Sequence, residues 1–224
     1  MIQPLLPASY PAHAFGPGGG FLFNNVLVKL VGVHPETHIA FYVNNGHGGV
    51  IGVRVYPNGQ KVLVNPDRVK YRGYGQSRGN NEYLQFRHAF GRGKGILASR
   101  AVYIAWIGPI PAGMTIDHIN GCTTDNRFEN LRCVSNAINS RDGGFLRKLK
   151  KAGFNPMCID RAILLRYFDR MAKLKEQLTY TQYRYLSKSQ LRAILYAPEF
   201  NCDPLSLSIF LSPTSKKIDM LDIH

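Results

Sequence analysis

The sequence predicts an α+β protein in three parts, and three observations carry that reading. Residues 21–64 hold short apolar, β-branched runs separated by turn residues such as Pro57-Asn58-Gly59, the pattern of antiparallel strands. Residues 160–178 set Ile163, Leu164, Tyr167, Met171, Leu174 and Leu178 at helical spacing, with Arg166, Arg170 and Lys173 at other positions, which predicts an amphipathic helix. Between them, residues 113–142 (GMTIDHINGCTTDNRFENLRCVSNAINSRD) read as strand, loop, strand, helix. The expected organisation is a β-rich N-terminal part over 1–95, a ββα unit over 96–144 and a basic helical part over 145–224.

The first twenty residues, rich in Pro, Ala and Gly, predict a flexible, extended arm. They carry neither a basic start nor a long apolar core, so they do not read as a signal peptide, and no later stretch is apolar for long enough to span a bilayer. Residues 21–33 predict a strand or two, 50–56 a further strand and 61–64 its return. His34, His38 and His47 lack the spacing of metal ligands and are read as loop or sheet-surface residues.

From 68 to 100 the character changes. Arg68, Lys70, Arg72, Arg78, Arg87, Arg92, Lys94 and Arg100 alternate with Tyr71, Tyr74, Tyr83 and Phe86. Basic side chains contact phosphates and exposed aromatics stack on bases, so this stretch suggests a nucleic-acid surface. The other reading makes Tyr83 and Phe86 core-facing strand residues and the charges a solvated face. Residues 96–106 then predict a helix with Leu97, Val102, Ala105 and Trp106 toward the core, ended by Gly108-Pro109.

In the central unit, residues 114–119 form the first expected strand, with Asp117-His118 at its end, and 131–134 the second. The intervening 120–130 is a loop by its Asn-Gly, Thr-Thr and Asp-Asn pairs. Ser135 is the expected N-cap of a helix of about two turns that Gly143-Gly144 stops. Asp117 and Asn139 offer a carboxylate and an amide oxygen, a hard donor pair suited to Mg²⁺. A histidine beside them can accept a proton from an attacking water. An isolated strand–loop–strand–helix of this size can equally be a structural hairpin.

D-H-I-N-G, then D-N-R-x-x-N-L-R, then S-N-x-x-N resembles the HNH (ββα-metal, His-Me finger) endonucleases, in the His-Asn-Asn variant of phage and homing enzymes. The likeness is specific over about residues 99–142. It implies that His118 is the general base, that Asp117 and Asn139 ligate one Mg²⁺ or Mn²⁺, and that Asn130 pins the loop under His118. The Cys pairs that brace some members with zinc are absent from the sequence.

Composition agrees with a polyanionic partner. The formal charge is +14 and the pI about 9.8, far from neutrality. Cys122, Cys133, Cys158 and Cys202 show no C-x-x-C pairing and are read as reduced thiols of a cytoplasmic protein. After the motif, residues 145–155 add Arg147, Lys148, Lys150 and Lys151. Ser187-x-x-Gln190 opens a second helix as a capping box, closed by Ala197-Pro198. These C-terminal helices either lie on DNA or pack against the β-rich part, and 201–224 is not assigned.

The expected function is a metal-dependent endonuclease on double-stranded DNA, of phage or mobile-element type and without a membrane partner. Its candidate DNA contacts are Arg72, Arg87, Arg92, Lys94, Arg127, Arg147 and Lys148. Two other readings stand beside it. One is a non-catalytic nucleic-acid-binding protein that keeps the fold as a scaffold, and the other a packaging accessory whose nuclease works with a phage terminase.

Overall fold

The computed structural model describes residues 19–70, 82–93, 95–198 and 200. Most of the expected arm (1–18), Arg72, Lys94, Tyr71, Tyr74, Arg78, Cys202 and the segment 201–224 lie outside the described residues. The described residues divide into two compact units, one running up to His118 and including Cys122–Asn136, the other Ile119–Gly121 with the residues from Ala137 onward. The architecture is α+β, with a β-rich N-terminal part, a ββα module and a helical C-terminal part.

In the first unit, β1 (Gly20–Phe23), β2 (Val26–Val33), β3 (Ala40–Val43), β4 (Gly52–Val55) and β5 (Lys61–Val64) pair as an antiparallel meander in chain order. The β1–β2 turn places Asn24 and Asn25 at φ 48° and 63°, the left-handed region asparagine tolerates and two-residue hairpins require. All four residues of β3 are buried, so the sheet is apolar on both faces. Toward one face, Ala40 and Tyr42 join Val28, Val53 and Val55. Phe21 stands edge-on to Tyr42 at 4.8 Å and the Lys61 ammonium lies 4.4 Å over Phe21, so the first and last strands lean together over that face.

Toward the other face, Phe41 and Val43 meet Ala98, Ala101 and Val102 of α1 (Ala98–Trp106) and Phe86. Trp106 Nε1 donates to the Val43 carbonyl at 3.2 Å, tying the end of α1 to the sheet. A second sheet holds β6 (Asp67–Lys70), β7 (Glu82–Phe86) and β8 (Ile96–Leu97). The helix expected from 96 begins instead at Ala98, because Ile96 and Leu97 pair with Phe86 and Gln85. Phe86 is fully buried, which settles it as a core residue, and Tyr83 is half-buried.

The hairpin of β9 (Met114–His118) and β10 (Leu131–Ser135) pairs His118 opposite Leu131 and Asp117 opposite Arg132. It leads directly into α2 (Asn136–Lys151), a correction to the expected two-turn helix: sixteen residues run through Gly143-Gly144 without a stop. Two interior glycines cost roughly 1 kcal/mol each. Phe145, Leu146 and Leu149 lie beyond them and are buried, each contributing about 1.5–3 kcal/mol. Tertiary burial therefore outweighs the local breaker.

In the second unit, α2 packs with α3 (Arg161–Gln177), α4 (Tyr180–Arg184) and α5 (Lys188–Tyr196) around Leu149, Leu164, Phe168, Met171, Leu191 and Ile194. Asp160 caps α3, its carboxylate accepting from Ala162 N at 2.8 Å and Ile163 N at 3.4 Å. The expected Ser187/Gln190 capping box opens α5. The sequence reading did not include α4, although Thr179 and Gln182 form the same box before it. Its five residues are too few to show helical periodicity. Among the described residues no helix is long and apolar enough to cross a membrane.

Candidate active site

The hairpin places Asp117 and His118 side by side at the end of β9, and each is fixed by a different partner. Arg132, opposite Asp117 in the register, donates Nε at 2.9 Å and Nη2 at 2.7 Å to Asp117 Oδ2. One carboxylate oxygen thus takes both guanidinium hydrogens. His118 is 4 % exposed, and its Nε2 lies 3.1 Å from Asn126 Oδ1.

Asn126 also determines the tautomer of His118. Its Nδ2 donates to the Thr124 carbonyl at 3.2 Å, so Oδ1 faces the ring and can only accept. Nε2 therefore carries the proton, and Nδ1 keeps the basic lone pair. Burial pushes the His118 pKa below its usual 6.5, against the opposing pull of the Asn126 hydrogen bond and of Asp117 and Asp125. A neutral imidazole with one nitrogen held and the other basic is the form a general base needs at neutral pH.

The loop that carries Asn126 is held from several sides. Asn130, completely buried, donates Nδ2 to the Asp125 carbonyl at 2.9 Å. Arg127 closes a two-pronged pair on Asp125 at 2.8 and 2.7 Å. Across the loop between β3 and β4, Phe128 N donates to the Asn45 carbonyl at 3.1 Å, and His47 Nε2 meets Glu129 at 2.8 Å. That loop is itself ordered by Asn44, whose Oδ1 accepts from Ile51 N at 3.0 Å and whose Nδ2 donates to the Gly49 carbonyl at 2.8 Å.

Gly46, at φ +85°, is the closest approach of the two loops: a Cβ there would stand 2.7 Å from the Asn126 carbonyl carbon and 2.9 Å from Arg127 Cα. Backbone atoms cannot move aside as a flexible side-chain tip can. Gly46→Ala is therefore expected to lose more stability than Gly48→Ala. Gly48 has a similar φ of +70° but open space around it, so its substitution carries only the left-handed strain of about 1–2 kcal/mol. Urea denaturation of the two variants checks this, and equal losses would show that the loop contact bears no load.

The burial of His118 has a consequence for stability. Its folded pKa lies below the unfolded value of 6.5, so the unfolded chain binds the proton first as pH falls. The folded state is then at full advantage above about 6.5 and loses stability as pH drops from there toward the depressed folded value. The midpoint of thermal unfolding should fall between pH 7.5 and 5.5, and His118→Asn should flatten that part of the profile. An unchanged slope in the variant would take the effect away from His118.

The other candidate residues are placed as follows. Asn139 lies in the second unit, early in α2 and half-buried. Arg87 pairs with Asp67 at 3.3 Å, Arg92 is exposed in the turn after β7, and Arg147 is exposed on α2. Lys148 is engaged within the protein. Its Nζ donates to the Arg184 carbonyl at 2.9 Å and lies 5.0 Å over Tyr183, and burial, with the neighbouring Lys151, pushes its pKa down. Among the described residues Cys122, Cys133 and Cys158 form no disulfide. Among the described residues no three or more His, Cys, Asp or Glu side chains are grouped to hold a metal ion, whereas an Asp–Asn donor pair would not form such a group.

Two residues that matter here were not singled out from the sequence. Arg132 had a signal: once the hairpin register is drawn, it faces Asp117 across the pair. Asn126 stands in the D-N-R run and reads there as a turn residue, and only the folded loop brings it to His118. Tyr83 likewise comes from a different sheet, its ring centroid 6.3 Å from that of His118.

The strand–strand–helix order, with a buried, oriented histidine beside a carboxylate at the end of the first strand, makes a ββα module. Residues 97–141 match the family model described as HNH endonuclease, so this segment is similar to the HNH endonucleases. No curated protein and no solved structure matches the chain.

Proposed function

We propose that the protein is a divalent-metal-dependent DNA endonuclease of the phage or mobile-element type, with residues 96–144 as its catalytic module and the flanking parts as DNA-binding regions. The observation that supports this reading best is His118, buried neutral, with Nε2 committed to Asn126 and Nδ1 basic. His118 Nδ1 takes a proton from water as the water oxygen bonds to phosphorus. The P–O3′ bond breaks, solvent protonates the departing oxygen, and 5′-phosphate and 3′-hydroxyl ends result.

Asp117 and Asn139 would hold one Mg²⁺ or Mn²⁺. Their chemistry fits, since both are hard oxygen donors and few protein ligands suffice for an ion that keeps water and phosphate oxygens. When bound, such an ion supplies Lewis-acid stabilisation of charge at the scissile phosphate and the leaving oxygen. Arg132, by holding Asp117 Oδ2, would leave Oδ1 as the ligating atom. Asn130 would keep the loop, and through it Asn126, in place. Exposed Arg92 and Arg147, with Arg72, Arg87, Lys94, Arg127 and Lys148, are the proposed phosphate contacts.

The test is to incubate purified protein with supercoiled plasmid and Mg²⁺, then with EDTA, and to map the ends. Cleavage that starts with the ion, stops with the chelator and leaves 5′-phosphates is expected. Ion-independent cleavage, or none, would sink the reading, and cleavage that needs an added terminase would move the protein to a packaging role. Within this reading, Asn139→Ala should raise the Mg²⁺ concentration needed for half-maximal nicking, because it removes one of only two protein ligands. Asn139→Asp keeps an oxygen donor and should retain more activity. Two folded variants that are equally inactive would show that Asn139 is not a ligand.

A further inference from the structure

We propose that α4, the turn after it and α5 form a DNA-docking surface in which α5 lies in the major groove. This rests on the DNA-endonuclease reading for its partner, but on different residues in a different compact unit. The two helices are separated by three residues, Tyr185 to Ser187, the spacing of a helix–turn–helix. Each opens with a complete capping box, Thr179/Gln182 and Ser187/Gln190, so both orphaned helix starts are satisfied internally. The C-terminal end of α4 is held by Lys148, which donates to the Arg184 carbonyl. Leu186, Leu191, Ile194 and Leu195 are buried, and they fix which side of α5 faces outward.

That outward side is Lys188, Arg192 and Tyr196, all exposed and four residues apart. The stripe runs about 12 Å along the helix axis at 1.5 Å per residue, and an α-helix about 10–12 Å across fits a major groove about 12 Å wide. Beside it, Tyr180 and Tyr185 are 73 % and 70 % exposed. Arg184 lies between them, its guanidinium 5.7 Å from each ring and its Nη1 donating to Tyr180 Oη at 2.9 Å. Exposed aromatics ordered around an arginine are the composition of a docking surface.

Charge selects that partner. Residues 180–198 contain Arg184, Lys188 and Arg192 and no acidic residue, whereas α3 interleaves its five basic residues with Asp169 and Glu176. An unrelieved positive stripe with tyrosine hydroxyls suits a duplex, where the cations meet phosphates and base edges lie within reach of the helix.

The test uses the full chain and a pool of random-sequence duplexes, with binding read by fluorescence anisotropy in Ca²⁺ at several salt concentrations. Lys188→Ala/Arg192→Ala removes two exposed charges. It should weaken binding at least 10-fold, and the log–log salt slope should become shallower by about 2 if both charges meet phosphates. If Arg192 reads a base instead, the slope changes by about half as much and the sequences retained from the pool change, which also supports docking at this face. Arg166→Ala/Lys173→Ala removes the same charge from α3 and should leave binding close to that of the parent. Parental affinity and retained sequences in the α5 variant would overturn the proposal. So would equal losses in the two variants, which would reduce the effect to net charge, or the same loss on a single-stranded pool, which would place the surface on unpaired bases. Because the readout is binding, a chain that binds through α5 but never cuts would sink the nuclease reading and leave this one standing.

Discussion

Replacing His118 with alanine is expected to leave DNA binding intact and to lower the cleavage rate by roughly 10²–10⁴-fold, the usual share of general-base catalysis. The loss is specific because the neighbouring groups have partners of their own. Asp117 remains paired to Arg132, and the loop stays fixed through Asn130 and through the Phe128–Asn45 hydrogen bond. The alanine variant removes the basic Nδ1 together with the partner of Asn126 Oδ1. A second variant, Asn126→Ala, keeps the imidazole but frees its Nε2, so its rate should fall between parent and His118→Ala. Single-turnover nicking at saturating protein measures both. Near-parental rates in His118→Ala would remove the residue from the mechanism, whatever the behaviour of Asn126→Ala.

The largest effect on stability is expected at Phe41. Its side chain is completely buried, edge-on to Phe86 at 5.0 Å and to Phe90 at 5.7 Å. Gly52, on the adjacent strand, leaves the room the ring fills: a Cβ there would lie 2.5 Å from Phe41 Cζ and 3.0 Å from Phe86 Cε1. Phe41→Ala would open a cavity where β3, β7 and α1 meet, and rigid strands on either side limit how far it can collapse. A loss of about 3–5 kcal/mol follows, a large part of the roughly 5–15 kcal/mol available to an ordinary domain. In urea, with slopes of about 1–3 kcal/mol per molar, the midpoint of the first unit should shift by more than about 1 M. A loss below about 1 kcal/mol would mean that the sheet and α1 repack freely around the gap.

The elements legible in the sequence share a local cause. The Pro57-Asn58-Gly59 turn that makes 61–64 a returning strand, the helical spacing of Leu164, Tyr167, Met171 and Leu174, and the Ser187/Gln190 box each depend on neighbours within about four residues. They appear in the fold as β5, the buried face of α3 and the start of α5. The Asp117-His118 pair was legible for the same reason, since a strand that stops at a turn displays its last side chains together. The match of 97–141 to the HNH family agrees with that motif spacing.

Tertiary structure decided what local spacing does not carry. Gly143-Gly144 reads as a stop, yet α2 continues because Phe145, Leu146 and Leu149 are buried beyond it. The Asn126 contact to the His118 ring, the Arg132 pair on Asp117 and the seat of Asn126 against Gly46 join residues up to 80 positions apart. So does the 82-residue span from His47 to Glu129. Sequence by itself determined which side chains could do the chemistry. Only the packed loops determined which nitrogen of His118 is basic, because a tautomer is set by the partner that the whole fold brings to the ring.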